Sequence, residues 1–215
     1  MSHGAWLSEW FYGFIMVAMV SGMITGYSFI GLHLFRWEIT VWLMVVTFGV
    51  NIAWGLIDGF TVVYGGLVDK ADEEKVIGNL KRNKSDPGLR GTLLASIGDS
   101  VAGYVSEEDQ KKLAEKIIDQ GPEAKKTYHF TKEDRNIVLA TVSCDALAVV
   151  PVILPYIILG FTTLAFTLSV LIASFSMAYI IFIYAKRTGR RKWVGATIFF
   201  VLALVMTLLA YYYGW

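Results

Sequence analysis

Two aspartates, Asp58 and Asp145, lie inside long apolar segments of the sequence and are its first candidates for a chemical role. A carboxylate at that depth in a bilayer costs about 3 kcal/mol or more, so intramembrane acids commonly line a pathway, bind an ion or relay protons. The same segments contain no Lys or Arg that could pair with them. Each carboxyl must therefore be protonated, hydrated or neutralised by a cation. The alternative is a neutral aspartate that only packs between helices.

The two aspartates are predicted to lie at the same depth. Asp58 precedes the end of its predicted helix, near residue 68, by about ten residues, and Asp145 follows the start of its helix, near residue 136, by about nine. At about 1.5 Å per residue, both lie roughly 13–15 Å from the same edge of the membrane. On neighbouring antiparallel helices, their carboxyl groups can face each other.

Polar and small residues accompany Asp58 along one face of its helix. They recur at spacings of three to four: Thr47, Asn51, Gly55, Thr61 and Gly65. Such a stripe faces protein or water rather than lipid, and it predicts a lined path that includes Asn51 and Thr61. Close helix packing through small residues is the alternative explanation.

The segment that follows Asp145 contains two prolines, Pro151 and Pro155. Each proline removes an N–H and frees the carbonyl four residues earlier, here those of Leu147 and Pro151. Free carbonyls at membrane depth are tolerated where they line a cavity, and they are suitable ligands for a cation. We therefore include both prolines in the predicted pathway, with a simple helix kink as the alternative.

The distribution of charge predicts the elements that position these residues. Only 17% of the 215 residues are charged, against roughly 25% in an average soluble domain. The charge-free stretches match the roughly 20 apolar residues that a membrane helix needs. We predict an all-α integral membrane protein with five transmembrane helices and a small helical insertion between the second and third. The predicted spans lie near 11–33, 39–67, 137–159, 163–185 and 193–214.

The basic residues predict how the chain is oriented. Of the 19 Lys and Arg residues, all but Arg36 lie between Lys70 and Arg135 or between Lys186 and Lys192. The positive-inside rule then places the N-terminus and the insertion in the cytoplasm and the C-terminus on the opposite side. The predicted organisation is residues 1–69 for the first two membrane helices, 70–135 for the cytoplasmic subdomain and 136–215 for the last three membrane helices.

The insertion contains a second set of candidate ligands. Ser106 and Asp109 resemble a capping box that opens a helix through about Gln120. Four acids of this region, Glu73, Glu74, Glu108 and Glu115, are candidate metal ligands, because carboxylates on facing helices can bind divalent cations. A solvated face with pairs spaced four residues apart, such as Glu108 with Lys112, is the alternative.

Several function classes find no support in the sequence. It contains no phosphate-binding glycine loop, no HExxH motif and no Ser/His/Asp arrangement of known spacing. A single cysteine excludes an internal disulfide framework, and a net charge of +1 does not favour binding to nucleic acid. We therefore expect no enzyme activity and no permanently bound cofactor. Transport driven by an ion gradient, or passive flow, remains possible for such a chain.

Three segments resemble the vacuolar iron transporter family and its prokaryotic relatives. Residues 51–66, NIAWGLIDGFTVVYGG, resemble the second span of that family, where an Asp-Gly motif precedes a metal-binding insertion. The segment from Pro151 to Tyr156 looks like its proline-containing third span, and the segment from Gly189 to Gly214 resembles its closing helix. The resemblance implies a five-helix homodimer with the cation path at the subunit interface. It also implies the exchange of ferrous or manganous ions for protons.

The leading hypothesis is a proton-coupled transporter of Fe²⁺ or Mn²⁺. Asp58 would bind the cation or exchange it for a proton, and Asp145 would assist. The candidate ligands are oxygens rather than thiolates, and oxygen ligands favour Fe²⁺ and Mn²⁺ over Zn²⁺. The alternative hypothesis is a non-transporting membrane scaffold whose cytoplasmic subdomain binds a partner protein.

Overall fold

A computed structural model describes residues 3–30, 36–122 and 127–213, and these residues form an all-α protein. Seven α-helices and one short 3₁₀ turn, Val101–Tyr104, follow one another in the described residues. The helices are α1 His3–Ile30, α2 Arg36–Arg82, α3 Pro87–Asp99, α4 Glu107–Gln120, α5 Lys132–Leu159, α6 Thr163–Arg187 and α7 Lys192–Tyr213.

Five of these helices are long and apolar enough to cross a bilayer, which confirms the predicted membrane fold and makes this a multi-pass membrane protein. The candidate spans are Gly4–Gly26, Trp37–Arg82, Lys132–Leu159, Thr163–Arg187 and Lys192–Tyr213. The second helix is about 70 Å long at 1.5 Å per residue, more than twice the thickness of the hydrocarbon layer. Its last turns therefore extend beyond the membrane as part of the insertion.

The chain divides into two compact units, which we call the membrane unit (residues 1–60 and 133–215) and the insertion unit (residues 61–132). The core of the membrane unit contains Val17, Leu43, Val149 and Val152, each fully buried. Helix α1 packs against α6 and α7 in this unit. Dispersion contacts and small residues, rather than a hydrophobic effect between helices, hold such bundles together in lipid.

A pair of glycines explains the close contact between α1 and α7. A Cβ at Gly22 would lie 2.9 Å from the carbonyl oxygen of Thr207, and one at Gly26 would collide with the backbone of Tyr211. The Gly22–Gly26 pair has the GxxxG spacing that favours close approach of membrane helices. Because α7 covers this face, the pair serves packing inside one chain rather than packing between two chains.

The sequence also predicts the turn between α5 and α6 correctly. Gly160 adopts a φ of 67°, which ends α5, and the side chain of Thr162 accepts a hydrogen bond from the backbone N–H of Ala165 at the start of α6. The left-handed region is accessible to glycine without the steric penalty of a Cβ. A long apolar run is thereby divided into two antiparallel spans.

The insertion unit has a small core of its own. Leu80, Leu93, Ile97 and Ile118 come together from α2, α3 and α4 and are buried there. The side chain of Ser106 accepts a hydrogen bond from the N–H of Asp109 at 3.2 Å, so the predicted cap of α4 is confirmed. The helix ends at Gln120, as predicted.

Candidate functional site

Helix α1 carries a buried acid that the sequence prediction placed outside the membrane. The candidate span Gly4–Gly26 starts earlier than the predicted start near residue 11, and it includes Glu9. The side chain of Glu9 is only 5% exposed. Glu9 is therefore a third acid, beside Asp58 and Asp145, whose side chain lies within the helix bundle of the membrane unit. Glu9 precedes Gly13 by four residues, which places both on one face of the helix.

Asp145 on α5 lies at the centre of the candidate site. The residue is completely buried, and neither carboxyl oxygen has a hydrogen-bond partner. A Cβ at Gly13 of α1 would lie 3.1 Å from Oδ1 of Asp145, and a Cβ at Gly55 of α2 would lie 3.0 Å from Oδ2. The absence of side chains at these two glycines leaves room for the Asp145 carboxyl between the backbones of three helices.

Helix α2 contributes Asp58 to the same place. Gly55 and Gly59 lie three residues before and one residue after Asp58, and both pack against α5. A Cβ at Gly55 would lie 2.8 Å from the Cα of Val142, and one at Gly59 would lie 2.9 Å from the Cα of Val138. Because the helices approach so closely, a short side chain such as Asp58 reaches the position of Asp145. Asp58 keeps part of its surface exposed.

The three carboxyl groups form one cluster. One carboxylate oxygen from each of Glu9, Asp58 and Asp145 lies within 4.8 Å of the others, and the three residues come from three different membrane helices. In the part of the chain that the structure describes, this is the single group of three or more acidic, His or Cys side chains that could hold a metal ion. Carboxylate oxygens are the ligands that hard and borderline divalent cations prefer.

The electrostatics of the cluster require a counter-charge. Oε2 of Glu9 and both oxygens of Asp145 are buried without a hydrogen-bond partner. The ion pairs of the insertion unit, Lys84–Asp119, Arg90–Glu115, Lys112–Glu108 and Lys112–Asp109, involve none of these three acids. Burial of an uncompensated carboxylate is strongly unfavourable. The cluster is therefore stable only when protons or a cation neutralise it.

Buried polar groups continue from the cluster along α2. Asn51 is fully buried, its Nδ2 donates a hydrogen bond to the carbonyl oxygen of Thr47 at 3.0 Å, and its Oδ1 has no partner. The side-chain hydroxyl of Thr47 is likewise buried without a partner. Since Thr47, Asn51 and Gly55 follow one another at steps of four residues, they share the face that packs on the cluster.

The other predicted pathway residues occupy different environments. Thr61 is exposed and lies off the buried face of α2, which continues from Gly55 to Gly59 in a step of four residues. Pro155 is buried and Pro151 is half-buried, and α5 remains helical through both. The neighbouring Tyr156 is buried, and its hydroxyl lies 3.0 Å from Oγ1 of Thr25 on α1.

The four predicted ligands of the insertion do not come together. Glu74 is buried and accepts a hydrogen bond from the hydroxyl of Tyr128 at 2.7 Å, whereas Glu73 is exposed. Glu108 pairs with Lys112 at 2.7 Å, and Glu115 pairs with Arg90. None of the four belongs to a group of three acidic, His or Cys side chains within the described residues. Glu73, Glu108 and Glu115 therefore lie on a solvated surface, whereas Glu74 is buried beside Tyr128.

Glu9 is the functional candidate that sequence reasoning missed. The most apolar part of the first segment lies later in the chain, so hydropathy predicts a span that starts near residue 11 and leaves Glu9 outside it. A signal was nevertheless present, because Glu9 and Gly13 have the same four-residue spacing as Gly55 and Gly59, which flank Asp58. Extending the first predicted span by two residues at its start includes Glu9.

Comparisons with known proteins add no assignment to this geometry. No protein-family model, no curated protein and no solved structure matches the chain.

Proposed function

We propose that this membrane protein transports a divalent metal cation, Fe²⁺ or Mn²⁺, in exchange for protons. The observation that carries the proposal is the convergence of Glu9, Asp58 and Asp145 from three membrane helices. Two of these carboxyls are buried and include oxygens without a hydrogen-bond partner. An acid with a structural role in a membrane usually forms an ion pair with a basic residue. Intramembrane acids that have no basic partner are instead typical of ion pathways.

The ligand set favours Mn²⁺ and Fe²⁺. All three candidate ligand groups are carboxylates, which suit these ions better than the soft ions that thiolates select. In an octahedral site with bonds of about 2.1 Å, opposite oxygens lie about 4.2 Å apart and adjacent ones about 3.0 Å. The oxygens of the cluster lie within 4.8 Å of one another, so small side-chain movements suffice to bind such an ion.

Proton exchange follows from charge balance. Three carboxylates carry a charge of −3, and a divalent cation neutralises two of these charges. When the ion leaves, two protons restore the same net charge. Because carboxylates must lose protons to bind metal, protons and metal compete for the cluster. The expected stoichiometry is therefore about two protons per ion.

The orientation and assembly of the protein belong to the same proposal. The basic residues favour a cytoplasmic N-terminus and insertion, and a C-terminus on the opposite side. Glu9 lies five residues after Gly4, or about 7.5 Å along the helix, so the cluster would open toward the cytoplasmic side. We propose a homodimer, in keeping with the resemblance of residues 51–66 to the vacuolar iron transporter family and with the partly exposed Asp58.

Transport can be tested in proteoliposomes that contain the purified chain. Mn²⁺ and Fe²⁺ uptake is followed together with the internal pH for the native protein and for Glu9→Gln, Asp58→Asn and Asp145→Asn. We expect coupled metal and proton fluxes in the native protein and background flux in each variant. Glu133→Gln, an exposed acid in the first turn of α5, is the matched control and should retain flux.

A specific feature of the insertion unit supports the alternative function, a scaffold that binds a partner protein. A groove of about 580 Å³ has an apolar floor that includes Ile77 and Leu113 and an acidic rim formed by Asp69, Asp72 and Glu73. A basic amphipathic helix would fit such a groove. If the native protein shows no flux under a pH gradient of either sign and no Mn²⁺-dependent rise in melting temperature, the transport proposal fails and the scaffold is favoured.

A further inference from the structure

An aromatic groove lies between α6 and α7 on the outer surface of the membrane unit. It encloses about 460 Å³. Phe175, Tyr179 and Trp193 line it and are 62%, 64% and 70% exposed, so the groove opens toward lipid. Along α6 the lining extends from Phe175 to Phe182, which is about 10 Å at 1.5 Å per residue. The groove can therefore hold a segment of an extended hydrocarbon chain.

The loop at one end of the groove is strongly basic. Five cations lie in this loop or at the helix ends beside it, and all are exposed: Lys186, Arg187, Arg190, Arg191 and Lys192. The sequence contains no acid after Asp145, and none of the ion pairs among the described residues involves these five cations. Their charge is therefore available to an anion from outside the chain.

The loop adopts a compact conformation that ends α6. Gly189 adopts a φ of 68°, and the N–H of Arg190 donates to the carbonyl oxygen of Ala185 at 2.9 Å. These are features of a Schellman motif, which closes a helix and reverses the chain. The loop thus holds the cations close to the ends of α6 and α7.

One cation links the basic loop to the groove. The Nζ of Lys192 lies 5.3 Å from the ring centroid of Phe182, and that ring lies 5.0 Å from the ring of Trp193 in an edge-to-face arrangement. Both rings line the groove. A molecule with an apolar chain and a negative head would therefore contact the groove and the cations at the same time.

We propose that this groove binds one anionic phospholipid, with an acyl chain along the aromatic lining and the phosphate against Arg190, Arg191 and Lys192. Basic pockets between membrane helices are typical sites for anionic headgroups. A second copy of the chain is a poorer occupant, because a symmetric contact through this face would bring two sets of five cations together. A zwitterionic lipid would fill the groove but would satisfy the cations less well.

The proposal can be tested by native mass spectrometry of the full chain in detergent. The delipidated protein is incubated with equal amounts of phosphatidylglycerol and phosphatidylcholine. We expect the native protein to retain one phosphatidylglycerol selectively. The variant Arg191→Gln/Lys192→Gln should bind it about 30-fold more weakly, at roughly fivefold per cation. Lys111→Gln/Lys116→Gln, which removes two exposed cations of α4, is the matched control and should bind it like the native protein.

A second variant tests the groove with the charges intact. Ala196→Phe fills the groove and should abolish selective retention, whereas Val201→Phe, on α7 but outside the lining, should not. Equal retention of phosphatidylcholine by the native protein, or unchanged phosphatidylglycerol binding in the loop variant, would overturn the proposal. A shift from dimer to monomer in Ala196→Phe with lipid binding unchanged would assign the groove to a second copy instead.

Discussion

Substitution of Gly55 by alanine should separate α2 from α5 and weaken metal binding at the acid cluster. The new Cβ would lie 2.8 Å from the Cα of Val142 and 3.0 Å from Oδ2 of Asp145. An ordinary contact begins near 3.4 Å, so the helices must move apart by about 0.6 Å. Overpacking of this kind costs about 1–3 kcal/mol, and the better helix propensity of alanine offsets about 1 kcal/mol of it. The net loss of stability is therefore about 0–2 kcal/mol.

The effect on metal binding should be larger than this net loss suggests. The oxygens of the cluster lie within 4.8 Å of one another, a spacing close to the roughly 4.2 Å between opposite ligands of an octahedral ion, and the substitution would widen the cluster. We expect at least a tenfold weaker affinity for Mn²⁺. At an ion concentration of 100 times the native dissociation constant, the stabilisation by Mn²⁺ would fall from about 2.7 to about 1.4 kcal/mol.

Thermal unfolding of the detergent-purified protein, with and without Mn²⁺, measures both effects. Gly49→Ala is the matched control, since Gly49 lies on the same helix and a Cβ there meets nothing within 4 Å. That variant should be neutral or slightly more stable and should keep the full response to Mn²⁺. If both variants respond to Mn²⁺ as the native protein does, the close approach of α2 and α5 does not position the cluster, and the reasoning is refuted.

Two further outcomes are expected. Tyr156→Phe removes the contact between the buried hydroxyl and Oγ1 of Thr25, and it should lower the free energy of unfolding by about 0.5–1.5 kcal/mol. The control Tyr179→Phe changes an exposed ring and should leave the melting temperature unchanged. Acidification of the side from which metal enters should raise the Mn²⁺ concentration needed for half-maximal uptake, because protons occupy the same carboxyls. Metal uptake into proteoliposomes that does not change between about pH 6 and pH 8 would contradict competition between protons and metal at the cluster.

Much of the fold follows from the sequence because charge and length are local properties. A charged residue inside the hydrocarbon layer is costly, so the charge-free stretches alone mark the five spans. Gly160 marks the turn between α5 and α6, and Ser106 marks the start of α4, because each acts on backbone groups within a few residues. These predictions hold without knowledge of the helix neighbours.

The candidate site could be predicted only in part. Asp58 and Asp145 are identified by their position in apolar segments, and their equal depth correctly suggests that they meet. The sequence places Thr61 in the polar stripe because spacings of three and of four residues are equally helical. Only packing against α5 decides that the face continues through Gly59. Glu9 lies outside the predicted first span because hydropathy marks the ends of a span poorly.

The sequence by itself determined that this is a membrane protein with five spans, and it identified two acids within them. The tertiary structure decided that a third acid, Glu9, joins them. It also showed that Gly13 and Gly55 make room for the carboxyl of Asp145. The physical reason is that burial in lipid acts on each residue alone, whereas a cation site depends on distances between three helices. Those distances follow from side-chain packing along the whole bundle, which no local pattern contains.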